Sequence, residues 1–139
     1  MNDRYNLQRF EAAQTPVYDT VCAELRAGRK RSHWMWFIFP QIEGLGSSAM
    51  ARKFAIGSAE EARAYLAHPV LGPRLRQCSR LVADLDGRAI EAIFCYPDDM
   101  KFQSSMTLFA HVATDDDVFN ACLRKYFGGV PDSATLARL

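Results

Sequence analysis

Residues 29–41 combine cationic, aromatic and amide side chains of the kind that bind anionic, flat ligands. Lys30 could pair with a phosphate, the indole of Trp34 could stack on a base or a sugar, and Gln41 could donate or accept hydrogen bonds. The segment therefore predicts one wall of a pocket for a nucleotide-like or phosphorylated small molecule. The alternative is that the tryptophans belong to the core and the cations form a solvated rim.

Asp98 and Asp99 are the carboxylates that could act as a general base in hydrolysis. His33 joins them as a candidate catalytic residue because histidine commonly serves as a general acid or base in enzymes. Lys101 follows one helical turn after Asp98 and is a candidate ligand for an anion. Helix capping is the competing explanation for both aspartates, because carboxylates complement the positive end of a helix.

Ser104, Ser105 and Thr107 interrupt an apolar helical pattern with three hydroxyl groups. Serine and threonine have poor helix propensity in the middle of a helix, so another demand selects them. We expect that these positions and the neighbouring apolar ones cannot all face the core. The hydroxyls then form a polar wall opposite Lys30 and Lys101, or they permit a close approach of neighbouring helices.

Residues 44–48 read Gly-Leu-Gly-Ser-Ser and could form either a tight turn with a helix cap or an anion-binding loop. The spacing lacks the lysine and the preceding strand of a phosphate-binding P-loop. We therefore expect a turn, with Ser47 or Ser48 capping a short helix.

The elements that position these residues are predicted to be helical, giving a mostly α, compact bundle of seven to eight short helices. Residues 34–39 fit either a minor buried strand or a short helix. Thr15 with Pro16, Ser58 with Glu61, and residues 114–117 carry helix-start signals. The predicted helices cover residues 6–14, 16–27, 48–54, 58–67, 70–85, 89–95, 97–112 and 118–127, followed by a short C-terminal helix capped by Asp132 or Ser133.

Length and composition predict a single globular domain over residues 1–139. The net charge of +1 counts against nucleic acid as a partner. No apolar run is long enough for a membrane span, and the start lacks a signal peptide. The four cysteines have no metal-binding or redox spacing, so we expect reduced thiols in a cytoplasmic protein with no metal and no cofactor.

Several motifs spread over nearly the whole chain carry a family resemblance. They occupy residues 29–41, 44–46, 64–72, 98–109 and 127–129, with Asp132. The chain resembles a bacterial family of unknown function, some of whose members are labelled calpastatin. The resemblance implies a stand-alone cytoplasmic domain and supplies no reaction. The calpain inhibitor of that name is a disordered, proline-rich chain, whereas this sequence is patterned to fold.

A fainter likeness connects residues 101–103, which read Lys-Phe-Gln, to enzymes that act on ADP-ribose or on N-glycosides of the riboflavin pathway. It implies N-glycosidic hydrolysis of an ADP-ribose-type ligand, with Asp98 or Asp99 as the base. The alternative is a non-catalytic protein-interaction domain, which would expose the aromatic face of Trp34 and Trp36. The oligomeric state follows from neither hypothesis.

Overall fold

The computed structural model describes residues 3–115 and 118–139, and the described residues form ten helices and no strand. The mostly α fold is confirmed, with more and shorter helices than predicted. Asp116 and Asp117, part of a predicted helix cap, lie outside the described residues. The helices are α1 (Gln8–Gln14), α2 (Tyr18–Ala27), α3 (Met35–Ile38), α4 (Ala49–Lys53), α5 (Ala59–Ala67), α6 (Leu71–Ala83), α7 (Ile90–Ile93), α8 (Asp98–Val112), α9 (Val118–Phe127) and α10 (Ser133–Leu136).

The aromatic segment at residues 34–39 is a single helical turn, α3, and not a strand. Beyond it the chain pairs with itself at one isolated parallel bridge, between Ile42 and Ile56. Trp34, Phe37 and Phe39 are all buried, since the turn lies inside the core.

Three helix starts have the predicted side-chain caps. The Ser48 hydroxyl accepts a hydrogen bond from Ala51 N, and the Ser58 hydroxyl accepts one from Glu61 N. Asp132 Oδ2 accepts a hydrogen bond from Thr135 N at the start of α10. These caps satisfy backbone N–H groups that have no partner within the helix.

The predicted start of α2 at Thr15 and Pro16 is wrong. Residue 15 ends α1, where its hydroxyl donates to Glu11 O, and α2 begins only at Tyr18. The side chain of Thr15 binds the preceding helix and is therefore not available to cap the next one.

Helix α8 is the central element, and it packs against α5, α7, α9 and α10. Its side chains from Ser104 to Phe109 are all buried, as are Phe102 and Val112. The expectation that its hydroxyl and apolar positions could not all face the core is wrong, because neighbours surround this helix. A helix covered on all sides has no single polar face.

Helices α5 and α6 meet closely at Gly72, where a Cβ would collide with the Leu66 carbonyl. Three of the four free cysteines, Cys22, Cys78 and Cys122, are buried, whereas Cys95 is exposed. Among the residues that the structure describes, no helix is long and apolar enough to cross a membrane.

Candidate ligand cleft

An open cleft of about 490 Å³ lies beside the first half of α8. A small recess that ends against Trp36 adjoins it and shares three lining residues with it. Three parts of the chain form the walls of the cleft: the segment from residue 41 to α4, the start of α8, and the chain around α10. The lining residues are Gln41, Leu45, Gly46, Ser47, Ser48, Ala51, Tyr96, Pro97, Met100, Lys101, Ser104, Asp132 and Ala134.

The first wall is held at both ends by the bridge between Ile42 and Ile56. Ile56 N donates to Gln41 O at 2.9 Å, and Glu43 N donates to Ile56 O at 2.8 Å. The chain between Ile42 and Ile56 contains Gly44, whose backbone φ of +99° strongly favours glycine. The loop with α4 is thus anchored to the core, although most of its side chains are exposed.

The second wall carries Lys101. Lys101 and Lys30 both form ion pairs with the carboxylate of Asp98. Asp98 Oδ2 lies 3.0 Å from Lys30 Nζ, and Asp98 Oδ1 lies 3.8 Å from Lys101 Nζ. Lys30 also lies over the ring of Trp34, and Lys101 over that of Trp36. The predicted cations, Asp98 and the two tryptophans therefore form one connected group.

The third wall is fixed by Asp132. Its carboxylate accepts hydrogen bonds from Ser104 Oγ at 3.0 Å and from Thr135 Oγ1 at 2.5 Å, in addition to the helix cap. Its backbone N–H donates to Thr107 Oγ1 at 2.9 Å. One further bond joins Gln103 Nε2 to Val130 O. The α8 hydroxyls at 104 and 107 therefore bind the C-terminal segment.

Trp34 is buried with 1% exposure, and its indole N–H donates to Glu24 Oε1 at 2.9 Å. Glu24 also accepts hydrogen bonds from both backbone N–H groups of residues 31 and 32 and from the Ser32 hydroxyl. Burial by itself raises the pKa of Glu24, but these four hydrogen bonds stabilise the carboxylate and lower its pKa to about 2. Trp34 contributes to the site only through the lysine above its ring.

The structure divides the remaining predicted residues. Gln41, Lys101 and Ser104 line the cleft, whereas Lys30, Asp98 and Thr107 are not among its lining residues, and neither is His33, which is exposed. Ser105 is fully buried inside α8, and its hydroxyl has no hydrogen-bond partner among the described residues. Asp99 is half-buried, with an Oδ1 atom that is equally without a described partner.

Tyr96, Met100 and Asp132 are lining residues that were not predicted as site residues. Tyr96 is 76% exposed and Met100 is 53% exposed. Asp132 was predicted only as a helix cap. The available signal was Tyr96 beside Pro97, an aromatic residue immediately before the helix that carries the predicted carboxylates.

Within residues 3–115 and 118–139, no group of three or more His, Cys, Asp and Glu side chains is arranged to hold a metal ion. The polar side-chain atoms of the cleft belong to a lysine, one amide, one carboxylate, a tyrosine and three serines. Such a set can bind a polar organic ligand through hydrogen bonds and one direct cation.

Comparison with known proteins assigns the family. A family model described as "Protein of unknown function (DUF1810)" matches residues 4–139. The chain belongs to this family. The conserved hypothetical protein Rv1873 from Mycobacterium tuberculosis is 56% identical in sequence to this chain. Its crystal structure superposes on this one with a TM-score of 0.97. The match covers 99% of this chain and 98% of the other. No curated protein matches.

Proposed function

We propose that this protein binds a nucleotide-like or phosphorylated small molecule in the cleft beside α8. The observation that carries the proposal is the convergence of Gln41, Lys101 and Ser104, three residues predicted from sequence, on one cavity. Cavities for small ligands typically occupy 300–1,000 Å³ and combine apolar lining with a few polar groups. Tyr96 and Met100 offer exposed apolar surface for a flat ring, and Lys101 offers charge for a phosphate.

A thermal-shift screen tests the proposal with nucleotides, ADP-ribose, NAD and phosphosugars. A ligand at a hundred times its dissociation constant stabilises the fold by about 2.7 kcal/mol, which raises Tm by several degrees for a chain of this size. We expect a shift for the wild type that is lost in Lys101→Ala. Arg124→Ala, which removes an exposed cation of α9 outside the cleft, serves as the matched control. The absence of a shift with every compound contradicts the proposal.

If the ligand is hydrolysed, the reaction that we propose is cleavage of an N-glycosidic bond in an ADP-ribose-type molecule. Asp98 would take a proton from the attacking water while the sugar–nitrogen bond breaks. The leaving nucleobase would depart with the electron pair of that bond and take up a proton. Asp98 does not itself line the cleft, but its carboxylate is held beside Lys101, which does, and beside Lys30. Asp99 is the second candidate base, and His33, which is exposed, has weaker support. Release of free adenine from ADP-ribose, measured chromatographically, should disappear in Asp98→Asn.

One observation favours the alternative, a non-catalytic protein-interaction domain. The apolar side chains exposed beside the cleft include Tyr96 and Met100, and large exposed apolar patches mark interaction sites. The aromatic face predicted for this role, at Trp34 and Trp36, is not exposed for partner binding, because Trp34 is buried and Trp36 is half-buried. A thermal-shift screen without any response would favour this alternative.

A further inference from the structure

We propose that Arg138, near the C-terminus, is the residue by which the cleft recognises the phosphate of its ligand. This inference rests on the proposed function and names the charged group that the ligand must carry. Neither the motif at residues 29–41 nor the hydroxyl set of α8 points to this arginine. Its role follows from where the C-terminal segment is fixed.

The position of Arg138 is determined by the hydrogen bonds of α10. Asp132 holds the start of this short helix against Ser104 and Thr107. Within the helix, the side chain of Thr135 is fully buried. Arg138 N then donates to Thr135 O at 3.0 Å, which continues the turn. The arginine therefore leaves a well-anchored backbone at the edge of the cleft.

The guanidinium of Arg138 lies directly on Gly44, in the opposite wall. A Cβ at residue 44 would be 2.2 Å from Nη1 and 2.6 Å from Cζ of Arg138, so a larger residue at position 44 would displace the guanidinium from this contact. Gly44 lines the recess that shares Gln41, Gly46 and Ala51 with the cleft. Arg138 is not itself a lining residue of the cleft or the recess, but it reaches from the C-terminal wall to the loop wall beside the recess.

Charge explains why an additional cation is needed for an anionic ligand. The lining residues include one cation, Lys101, and one carboxylate, Asp132, whose hydrogen-bond donors are all neutral. Lys101 also interacts with Asp98, which reduces the positive charge that it offers to a ligand. Arg138 makes the edge of the cleft net positive.

Arg138 is available for this role because it is exposed and forms no ion pair within the described part of the chain. A guanidinium presents parallel N–H donors that match two oxygens of a phosphate. Lysine supplies only a point charge, so Arg138 is better suited than Lys101 to discriminate a phosphate from a neutral group.

The test compares matched ligands with and without phosphate by isothermal titration calorimetry: AMP with adenosine, and ribose 5-phosphate with ribose. We expect the wild type to bind at least one phosphorylated member about tenfold more tightly than its neutral partner. Arg138→Gln should remove this preference without changing the affinity for the neutral compound, and Arg138→Lys should restore part of it. Arg124→Gln is the control for an exposed arginine outside the cleft.

Three results would overturn the inference. If Arg138→Gln keeps the phosphate preference while Lys101→Ala loses it, the anion binds at Lys101 alone, and the proposed function stands. If Arg138→Gln lowers the affinity for both members of a pair equally while Tm is unchanged, the arginine shapes the cleft but does not recognise the phosphate charge. If the wild type binds none of these compounds and no ADP-ribose, the proposed function fails together with the inference.

Discussion

Glu24 shows at the scale of one residue how a buried charge can organise a functional segment. Its four hydrogen bonds orient Trp34 and the backbone at residues 31 and 32, next to Lys30. A buried carboxylate is costly unless it is fully hydrogen-bonded, and here the donors are neutral groups close in sequence. The aromatic segment is therefore held by an acid from α2 and not by apolar packing alone.

We expect the stability of the protein to depend on pH through Glu24. Its pKa is about 2 in the folded state, below its ordinary value near 4.5, so folding favours the ionised form. The stabilisation, about 3 kcal/mol, is fully present above pH 4.5 and is lost as the pH falls towards 2. Glu24→Gln should lower the free energy of unfolding at pH 7, measured by urea denaturation, and should flatten its decline between pH 4.5 and 2. Glu43→Gln, at an exposed loop position, is the control; equal pH profiles for Glu24→Gln and the wild type would contradict the assignment.

Helix α8 shows at the scale of one element that hydroxyl groups in a buried helix can have opposite energetic roles. Ser104 donates to Met100 O and to Asp132, and so binds the C-terminal segment. Ser105, its neighbour, is fully buried without a described hydrogen-bond partner. A buried hydroxyl that lacks a partner costs free energy relative to an alanine of similar size.

We therefore expect Ser104→Ala to destabilise the protein and Ser105→Ala not to do so. Ser104→Ala should lower the free energy of unfolding by about 1–2 kcal/mol, since it leaves Asp132 with one donor fewer. Ser105→Ala should leave it unchanged or raise it by up to about 1 kcal/mol. Chemical denaturation of the two variants makes the comparison; a destabilised Ser105→Ala protein would mean that this hydroxyl has a partner in solution.

Arg9 shows at the scale of the whole molecule how segments distant in sequence are joined. Its guanidinium donates to the backbone carbonyls of Tyr5 and Asn6, and to those of Lys53 and Ala55. The fifth hydrogen bond goes to Glu61 at 3.1 Å. One side chain thus joins the N-terminal segment, the end of α4 and the start of α5. The end of α4 is also the end of the segment that forms the first wall of the cleft.

Arg9→Lys should destabilise the protein by about 2 kcal/mol, because an ammonium cannot reach five acceptors in this fork-like arrangement. The matched control is Arg63→Lys on α5, where the side chain is largely exposed and forms only a long ion pair with Glu60. Thermal unfolding should show a clear decrease in Tm for the first variant and almost none for the second. Similar Tm values for both would show that the Arg9 hydrogen bonds contribute little in solution.

The sequence by itself determined the helical class and the cap at Ser58, limited the caps at Ser48 and Asp132 to two neighbouring residues each, and pointed to three of the residues that line the cleft. These features depend on local periodicity, on capping chemistry and on polar residues near one another along the chain. The choice between helix and strand at residues 34–39 required the tertiary structure, as did the burial of α8 from Ser104 to Phe109, because both depend on neighbours distant in sequence. Asp132 reaches the cleft, and Arg138 reaches Gly44, only because the C-terminal segment folds back on α8. Long-range contacts of this kind leave no periodic signal in the sequence, so only the folded chain could decide them.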